Sequence, residues 1–216
     1  MTFPDIILIR HGQTEWNAEG RIQGQGDSVL SGLGHAQAAA YGRLLADRFR
    51  PLDRYALYRS PAGRCAHTAA LAAKAAGLNP AAFTVDDRLI EKAYGAWEGL
   101  TRPEIALAGD ESQLRAMDAD PWRHRTPPSP TAKNETLEEV SRRAQAWLRA
   151  LDPSRPVIAV SHGGTGRCLI GAYLGLGVDD ILAIRMRQDV IFHLSANGLD
   201  ILGTDVNSNL ITYLPC

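Results

Sequence analysis

Residues Ile6-Ile7-Leu8-Ile9 lead directly into Arg10-His11-Gly12, and residues Val157-Ile158-Ala159-Val160 lead into Ser161-His162-Gly163-Gly164. A short, continuous apolar run is typical of a strand that is buried on both faces. Residues just past the carboxyl ends of such strands bind ligands in open α/β sheets. The two stretches therefore predict two histidines at one edge of a sheet. The neighbouring arginine and two glycines are residues that could bind an anion there.

Strands and helices are predicted to alternate along the chain. We expect strands at about 5–9, 55–58, 83–85 and 157–160, and helices at about 31–49, 62–76, 136–151 and 166–174, with a short helix opening at Thr101. Asn197-Gly198 predicts an antiparallel hairpin of residues 190–194 and 199–202. Together these elements predict an α/β fold, a three-layer α/β/α sandwich whose mostly parallel central sheet has an antiparallel edge.

Three local patterns refine this prediction. The helical spacing of Leu33, Ala36, Ala40 and Leu44 predicts the buried face of the first helix. Residues 12–30 read as a long loop, and long loops inside compact domains usually carry function. Residues 120–133 contain four prolines and read as irregular chain, not as a linker, because no independent core precedes or follows them. We therefore expect residues 1–216 to form a single domain.

Composition excludes several classes of protein. The 216 residues carry 23 Lys and Arg against 24 Asp and Glu, so there is no basic arm for a nucleic acid or a membrane surface. The three cysteines have no metal-binding spacing, and no signal peptide or membrane-length apolar run is visible. No Walker loop, dinucleotide fingerprint, His-Glu-x-x-His motif or Gly-x-Ser-x-Gly elbow occurs. We expect a cytoplasmic protein without cofactor or metal.

Four blocks of polar residues follow one another along the chain. They are Arg10-His11-Gly12-x-Thr14-x-x-Asn17, Ser60-Pro61-x-x-Arg64-x-x-x-Thr68, Leu89-Ile90-Glu91-x-x-Tyr94-Gly95-x-Trp97-Glu98-Gly99 and Ser161-His162-Gly163-Gly164. With these blocks in this order, nearly the whole chain resembles the histidine phosphatase superfamily, which includes phosphoglycerate mutases and broad phosphatases. The resemblance implies a phosphoglycerate mutase-like fold and a phosphohistidine intermediate.

The residue types of these blocks suit a phosphoryl group. Arginine stays charged and pairs with two oxygens, so Arg10 and Arg64 are the candidate anion ligands. From its position on the helix alone, Arg64 could equally be a solvated arginine or a phosphate ligand. The order of the motifs favours the phosphate ligand. His11, with a pKa near ~6.5, can attack as the neutral nucleophile. His162 can donate to a phosphoryl oxygen, and the backbone N–H groups of Gly163 and Gly164 can face the same group.

An alkyl leaving group needs a proton, which a carboxyl group can supply. By chemistry alone Glu91, Glu98 and Glu15 all remain open, and the resemblance selects Glu91 as the acid and later the base toward water. The resemblance also implies that Asn17, Gln23 and Gly24 contact the phosphate or orient His11. For Asn17, a plain turn residue remains the alternative.

Two departures from the mutases favour a phosphatase. Where the family's cofactor-dependent mutases have Arg-His-Tyr after the acid and Trp-Asp in the long loop, this chain has Lys92-Ala93-Tyr94 and Gln23-Gly24. We therefore expect a metal-independent phosphomonoesterase of the phosphatase branch that acts on a small phosphorylated metabolite. A cofactor-dependent phosphoglycerate mutase is the alternative, and a phosphate-ester binding or scaffold protein with little turnover is the second.

Two further features bear on partners. Arg123-His124-Arg125 lies in the 101–136 segment, which we expect to set substrate selectivity, and it either meets an anionic substrate group or lies on a solvated loop. The edge after Tyr213 either pairs with a second subunit to form a homodimer or is simply covered by the chain itself.

Overall fold

A six-stranded sheet forms the centre of the protein. The computed structural model describes residues 2–206. Its strands are β1 (Ile6–Arg10), β2 (Ala56–Arg59), β3 (Thr84–Val85), β4 (Val157–Ser161), β5 (Val190–Ser195) and β6 (Gly198–Gly203). Every predicted strand is present, with ends displaced by at most one residue. The edge after Tyr213 lies outside the described residues.

The order of the strands is β3-β2-β4-β1-β5-β6. The first four are parallel to one another, and β5 and β6 are antiparallel, which confirms the mostly parallel sheet with an antiparallel edge. β1 and β4 are neighbours at the centre, with Arg10 opposite Ser161. This register brings the two histidines that follow these strands to the same edge of the sheet.

Helices cover both faces of the sheet. They are α1 (Glu15–Ala18), α2 (Gly32–Arg48), α3 (Gly63–Ala76), α4 (Arg102–Ile105), α5 (Glu111–Ala119), α6 (Leu137–Arg149), α7 (Gly163–Leu174) and α8 (Val178–Ala183). Short 3-10 turns lie at Leu52–Arg54, Pro80–Ala82, Asp87–Leu89 and Gly95–Trp97, and a π-helical turn lies at Ala106–Asp110. None of the helices within residues 2–206 has the length and apolar character needed to cross a membrane.

The core has two halves because β1 is buried on both faces. Ile6 and Leu8 pack in one hydrophobic cluster with Trp147 of α6. Ile7 and Ile9 pack in the other, which contains side chains of α2 and α3. Burying side chains of this size stabilises the fold by about 1.5–3 kcal/mol each. The two clusters confirm the three-layer arrangement.

The helix ends follow the predicted capping signals. Ser31 Oγ accepts the Gly34 N–H at 3.1 Å, and Thr101 and Thr136 each form a capping box with the glutamate three residues later. Residues 120–133 are irregular, as predicted.

Three expectations about the helices were wrong. Residues 12–30 contain the short helix α1, and α7 begins at Gly163 instead of 166. In α2 the buried face is rotated by about one residue, so that Tyr41 and Leu45 are buried while Leu33 is 43% exposed. Tyr41 and Leu45 pack in the hydrophobic cluster that contains Ile7 and Ile9 of β1. Gly34 lies on the same buried side of the helix, close to the Gln13 backbone.

Candidate active site

His11 lies immediately after β1 and is buried. Its Nδ1 is 2.8 Å from the Gly12 carbonyl oxygen. A carbonyl oxygen can only accept, so Nδ1 carries the proton of the neutral ring and Nε2 keeps its lone pair. Burial, reinforced by the charges of Arg64 and Arg10, lowers the pKa of His11 well below its usual value. The imidazole is therefore held in the neutral form that a nucleophile needs.

Arg64, at the start of α3, is fixed by backbone carbonyls. Its Nη2 donates to the Gly24 oxygen at 2.6 Å, and its Nη1 donates to the Gly26 oxygen at 2.7 Å. Asp27 accepts from Nη1 at 3.1 Å and is itself 44% exposed. Gly24 has a φ of +55°, a conformation that favours glycine, and its carbonyl oxygen holds this arginine.

Arg10, at the end of β1, is also held by a backbone carbonyl. Its Nη1 donates to the Met186 carbonyl oxygen at 2.6 Å, and burial lowers its pKa. The Nε atoms of Arg10 and Arg64 are buried without a partner among the described residues. Unpartnered buried N–H groups are costly, so both arginines are prepared to receive an anion.

His162 follows β4, and its ring centroid lies 5.2 Å from that of His11. A guanidinium can only donate, so Arg64 Nη2 donates to His162 Nδ1 at 3.0 Å. In the neutral ring, Nε2 then donates to Ser60 Oγ at 2.7 Å. Burial, followed by the charge of Arg64, lowers the pKa of His162 well below its usual value. Ser60 and Arg64 thus fix the ring beside the nucleophile.

Glu91 occupies the amino end of α7. Its carboxylate accepts the N–H groups of Lys92 at 2.8 Å, Gly164 at 2.9 Å and Thr165 at 3.0 Å. The expectation that the Gly164 N–H faces a phosphoryl group is therefore wrong in this structure, because the carboxylate takes it. The Gly163 N–H has no hydrogen-bond partner among residues 2–206.

The other two candidate carboxylates have different positions. Glu98 accepts the backbone N–H groups of Gln25, Gly26 and Tyr94 at 2.7–2.9 Å, so it orders the loop that holds Arg64. Glu15 is exposed on α1. Glu91 is the one of these three that lines the cavity beside His11.

Asn17 and Gln23 belong to one hydrogen-bond network. Gln23 Oε1 accepts from Thr14 Oγ1 at 3.0 Å and from Asn17 Nδ2 at 3.3 Å, while Gln23 Nε2 is buried without a partner in the described chain. Gln188, which no sequence motif marks, donates through Nε2 to the His11 oxygen at 3.1 Å and to Asn17 Oδ1 at 2.9 Å. Asn17 thus helps to hold Gln188 against the backbone of His11. The amide N–H of Gln23 remains available as a hydrogen-bond donor.

These groups surround a cavity of about 300 Å³. Its lining includes His11, Arg10, Arg64, Glu91, Asn17, Gln23 and Gly24. Among the candidates, Gly163 and His162 do not line it. Sequence reasoning missed Arg21 and Arg102, which do.

The basic tripeptide of the 101–136 segment does not line this cavity. Arg125 pairs with Glu139 at 2.6 Å, His124 stacks on Trp97, and Arg123 is exposed. In residues 2–206 no group of three or more His, Cys, Asp or Glu side chains could hold a metal ion.

Comparison with known proteins agrees with this geometry. The family model described as histidine phosphatase superfamily (branch 1) matches residues 6–199. The chain belongs to the histidine phosphatase superfamily. All four polar blocks lie inside the matched range.

Named histidine phosphatase relatives include both reaction types. The chain is 35% identical over 179 residues to a glucosyl-3-phosphoglycerate phosphatase from Mycolicibacterium vanbaalenii, covering 81% of this chain and 76% of the relative. It is also 35% identical over 183 residues to a probable phosphoglycerate mutase GpmB from Salmonella arizonae, covering 85% and 80%. A mycobacterial glucosyl-3-phosphoglycerate phosphatase, solved in complex with VO3, superposes with a TM-score of 0.71 at 32% identity, covering 93% of this chain and 98% of that one.

Proposed function

We propose that this histidine phosphatase is a phosphomonoesterase that hydrolyses small phosphate esters through a phosphohistidine on His11. The observation that carries the proposal is the bond from His11 Nδ1 to the Gly12 carbonyl oxygen, which leaves the lone pair on Nε2. Phosphatase-named relatives with high coverage support the reaction class.

The reaction proceeds in two displacements. His11 Nε2 attacks phosphorus, the N–P bond forms, and the bond between phosphorus and the ester oxygen breaks. The departing oxygen takes a proton from Glu91, which lines the same cavity. Water then attacks phosphorus while Glu91 accepts its proton, and cleavage of the N–P bond releases inorganic phosphate.

Cationic and neutral donors stabilise the charge that develops on the phosphoryl oxygens. Arg10 and Arg64 each bring an unpartnered Nε–H, and Gln23 brings an unpartnered amide N–H. His162 supports this arrangement from outside the cavity lining, because Ser60 holds its ring and its Nδ1 accepts from Arg64. Gly163 adds a backbone donor at the start of α7.

The relatives narrow the substrate class. The names of two of them describe phosphoglycerates, which are phosphate esters that also carry a carboxylate. We propose a small phosphorylated metabolite of this class as the substrate.

Two further proposals concern the chain as a whole. We propose that residues 1–216 form one domain. The free, buried Cys65 and Cys168 suit a reducing compartment such as the cytoplasm.

Phosphate release from a panel of phosphomonoesters in EDTA tests this function. We expect release by the wild-type protein, accumulation of acid-labile phosphohistidine, and loss of both in His11→Ala. His67→Ala, which changes an exposed histidine of α3, is the matched control and should keep both. A protein that binds phosphate esters without turnover would not accumulate phosphohistidine.

A phosphoglycerate mutase is the second candidate because of the GpmB relative. Following 3-phosphoglycerate and 2-phosphoglycerate, with and without 2,3-bisphosphoglycerate, separates the two reactions. Isomerisation without net phosphate release would replace the phosphatase by the mutase.

A further inference from the structure

Two side chains outside the lining of the phosphate cavity hold the peptide unit between His11 and Gly12, which we call the 11–12 peptide. Its carbonyl oxygen accepts a hydrogen bond from Gln188 Nε2 at 3.1 Å, and its N–H donates to Thr68 Oγ1 at 3.0 Å. The unit is trans and planar, so its C=O and N–H point in opposite directions. The 11–12 peptide is therefore held on two opposite sides by residues that do not line the cavity.

The orientation of the 11–12 peptide controls the imidazole of His11. The next carbonyl oxygen along the chain, that of Gly12, accepts from His11 Nδ1 at 2.8 Å and keeps the ring proton away from Nε2. Rotation of the 11–12 peptide would change the φ angle of Gly12 and displace that oxygen. Glycine resists such a rotation less than any other residue, but a Cβ at Gly12 would lie 2.4 Å from the Gly34 carbonyl oxygen. The two hydrogen bonds therefore supply a restraint that the glycine itself lacks.

Neighbouring residues determine which end of the Gln188 amide faces His11. Gln188 Nε2 also donates to Asn17 Oδ1 at 2.9 Å. That atom of Asn17 must be the oxygen, because it accepts the Thr14 N–H at 3.3 Å and a backbone N–H can only donate. The Tyr41 hydroxyl donates to the Gln188 carbonyl oxygen at 2.5 Å and so holds its backbone. Gln188 therefore presents an N–H, and not its own side-chain oxygen, to the His11 carbonyl.

Thr68 is fixed on the other side of the 11–12 peptide. It is fully buried in α3, and its Oγ1 donates its one proton to the Arg64 carbonyl oxygen at 2.7 Å. The lone pairs of Oγ1 remain for the Gly12 N–H. Thr68 thus joins the backbone of the nucleophile to the turn of α3 that carries a phosphate-binding arginine.

We propose that Gln188 and Thr68 are positioning residues that together hold the 11–12 peptide, so that His11 keeps its proton on Nδ1 and its lone pair on Nε2. The proposal rests on the phosphohistidine function and names the residues that select the tautomer of its nucleophile. Both residues act through His11. When the peptide is released, the proton can move to Nε2, and a ring in that form has no lone pair there for the attack on phosphorus.

Variants at nearly constant side-chain volume test the proposal. Thr68→Val and Gln188→Met should each lower the single-turnover rate of phosphohistidine formation from p-nitrophenyl phosphate at least ~5-fold, the effect of one lost hydrogen bond. The Ki of inorganic phosphate should stay within about 2-fold, because the arginines are unchanged. Thr68→Ser keeps the hydroxyl and should retain most of the rate. Thr84→Val at an exposed threonine of β3 and Gln145→Met in α6 are the matched controls and should keep the wild-type rate.

The tautomer of His11 gives a second readout, which a loss of stability alone would not change. The ¹⁵N resonances of a neutral imidazole distinguish a nitrogen that carries a proton from one that does not. In protein labelled with ¹⁵N-histidine at pH 7, comparison with His11→Ala assigns the His11 signals. We expect a protonated Nδ1 in the wild-type protein and a mixture of the two tautomers in Thr68→Val and Gln188→Met. Thermal unfolding confirms that each variant is folded.

The outcomes separate the positioning role from the function. An unchanged Nδ1–H tautomer in both variants would overturn the proposal, whatever happens to the rate or the melting temperature, and so would a changed tautomer with an unchanged rate. A Ki that rises as much as the rate falls would assign the two residues to phosphate binding instead and would also overturn it. If Thr68→Val does not fold, Gln188→Met and the wild-type spectrum decide. Absence of phosphohistidine in the wild-type protein would refute the proposed function, while the tautomer spectra would still test the hold on the 11–12 peptide.

Discussion

Replacing the Glu91 carboxylate by an amide tests its role in proton transfer. Glu91→Gln keeps the shape of the side chain and removes the proton donor. The present carboxylate accepts from Gly164 through Oε2 and from Lys92 and Thr165 through Oε1. An amide has one oxygen, so its NH2 group must face at least one of these N–H donors.

Glu91→Gln should affect both the rate of the reaction and the stability of the protein. Loss of general acid catalysis should lower kcat for an alkyl phosphate by about 10²- to 10⁴-fold, or roughly 3–5 kcal/mol of transition-state stabilisation. The lost charged hydrogen bond should lower the free energy of unfolding by about 1.5–3 kcal/mol. An activated aryl phosphate should lose much less activity, because its leaving group hardly needs a proton.

The assay compares kcat for glycerol 3-phosphate and p-nitrophenyl phosphate in both proteins. Glu98→Gln is the matched control, since Glu98 also accepts three backbone N–H groups but in the loop that holds Arg64. Glu98→Gln should lower the free energy of unfolding by a similar amount and should lower kcat for both esters by the same factor. Equal losses on the two esters in Glu91→Gln would refute Glu91 as the acid.

A further prediction concerns packing. Gly34→Ala in α2 places a methyl group against the Gln13 carbonyl oxygen and should lower the free energy of unfolding by about 1–3 kcal/mol, whereas Gly32→Ala meets open space and should gain up to ~1 kcal/mol. Denaturant unfolding checks both, and equal midpoints would contradict the close approach.

The sheet could be predicted because its signals are local and strong. The apolar runs of β1 and β4 are buried on both faces, so a continuous run identifies them without reference to the rest of the chain. The buried face of α2 was harder, because alanines and glycines on several sides of the helix give no sharp apolar stripe. In the folded protein, tertiary packing buries the face with Tyr41 and Leu45 and leaves Leu33 exposed.

Those parts of the candidate site whose role follows from the type of a single side chain could be predicted from the sequence. His11, Arg10 and Arg64 gather at the cavity as expected. The destination of a backbone N–H was not predictable: Gly164 could serve a phosphate or a carboxylate, and only the fold shows that Glu91 takes it. Gln188 was missed because its contact with the His11 oxygen joins residues 177 positions apart, which no local pattern records.

The way the two arginines are held explains why the site can attract a dianion. Surface arginines of this protein, such as Arg102 and Arg125, are paired with carboxylates that cancel their charge. Arg10 is instead oriented by the Met186 carbonyl oxygen, and Arg64 by two carbonyl oxygens together with the half-exposed Asp27. A carbonyl oxygen fixes a guanidinium without neutralising it. Burial, reinforced by this remaining positive charge, lowers the pKa of His11 and keeps its Nε2 available, and the same charge is what a phosphoryl group would meet. One arrangement of backbone carbonyls thus prepares both the nucleophile and the anion site, before any substrate binds.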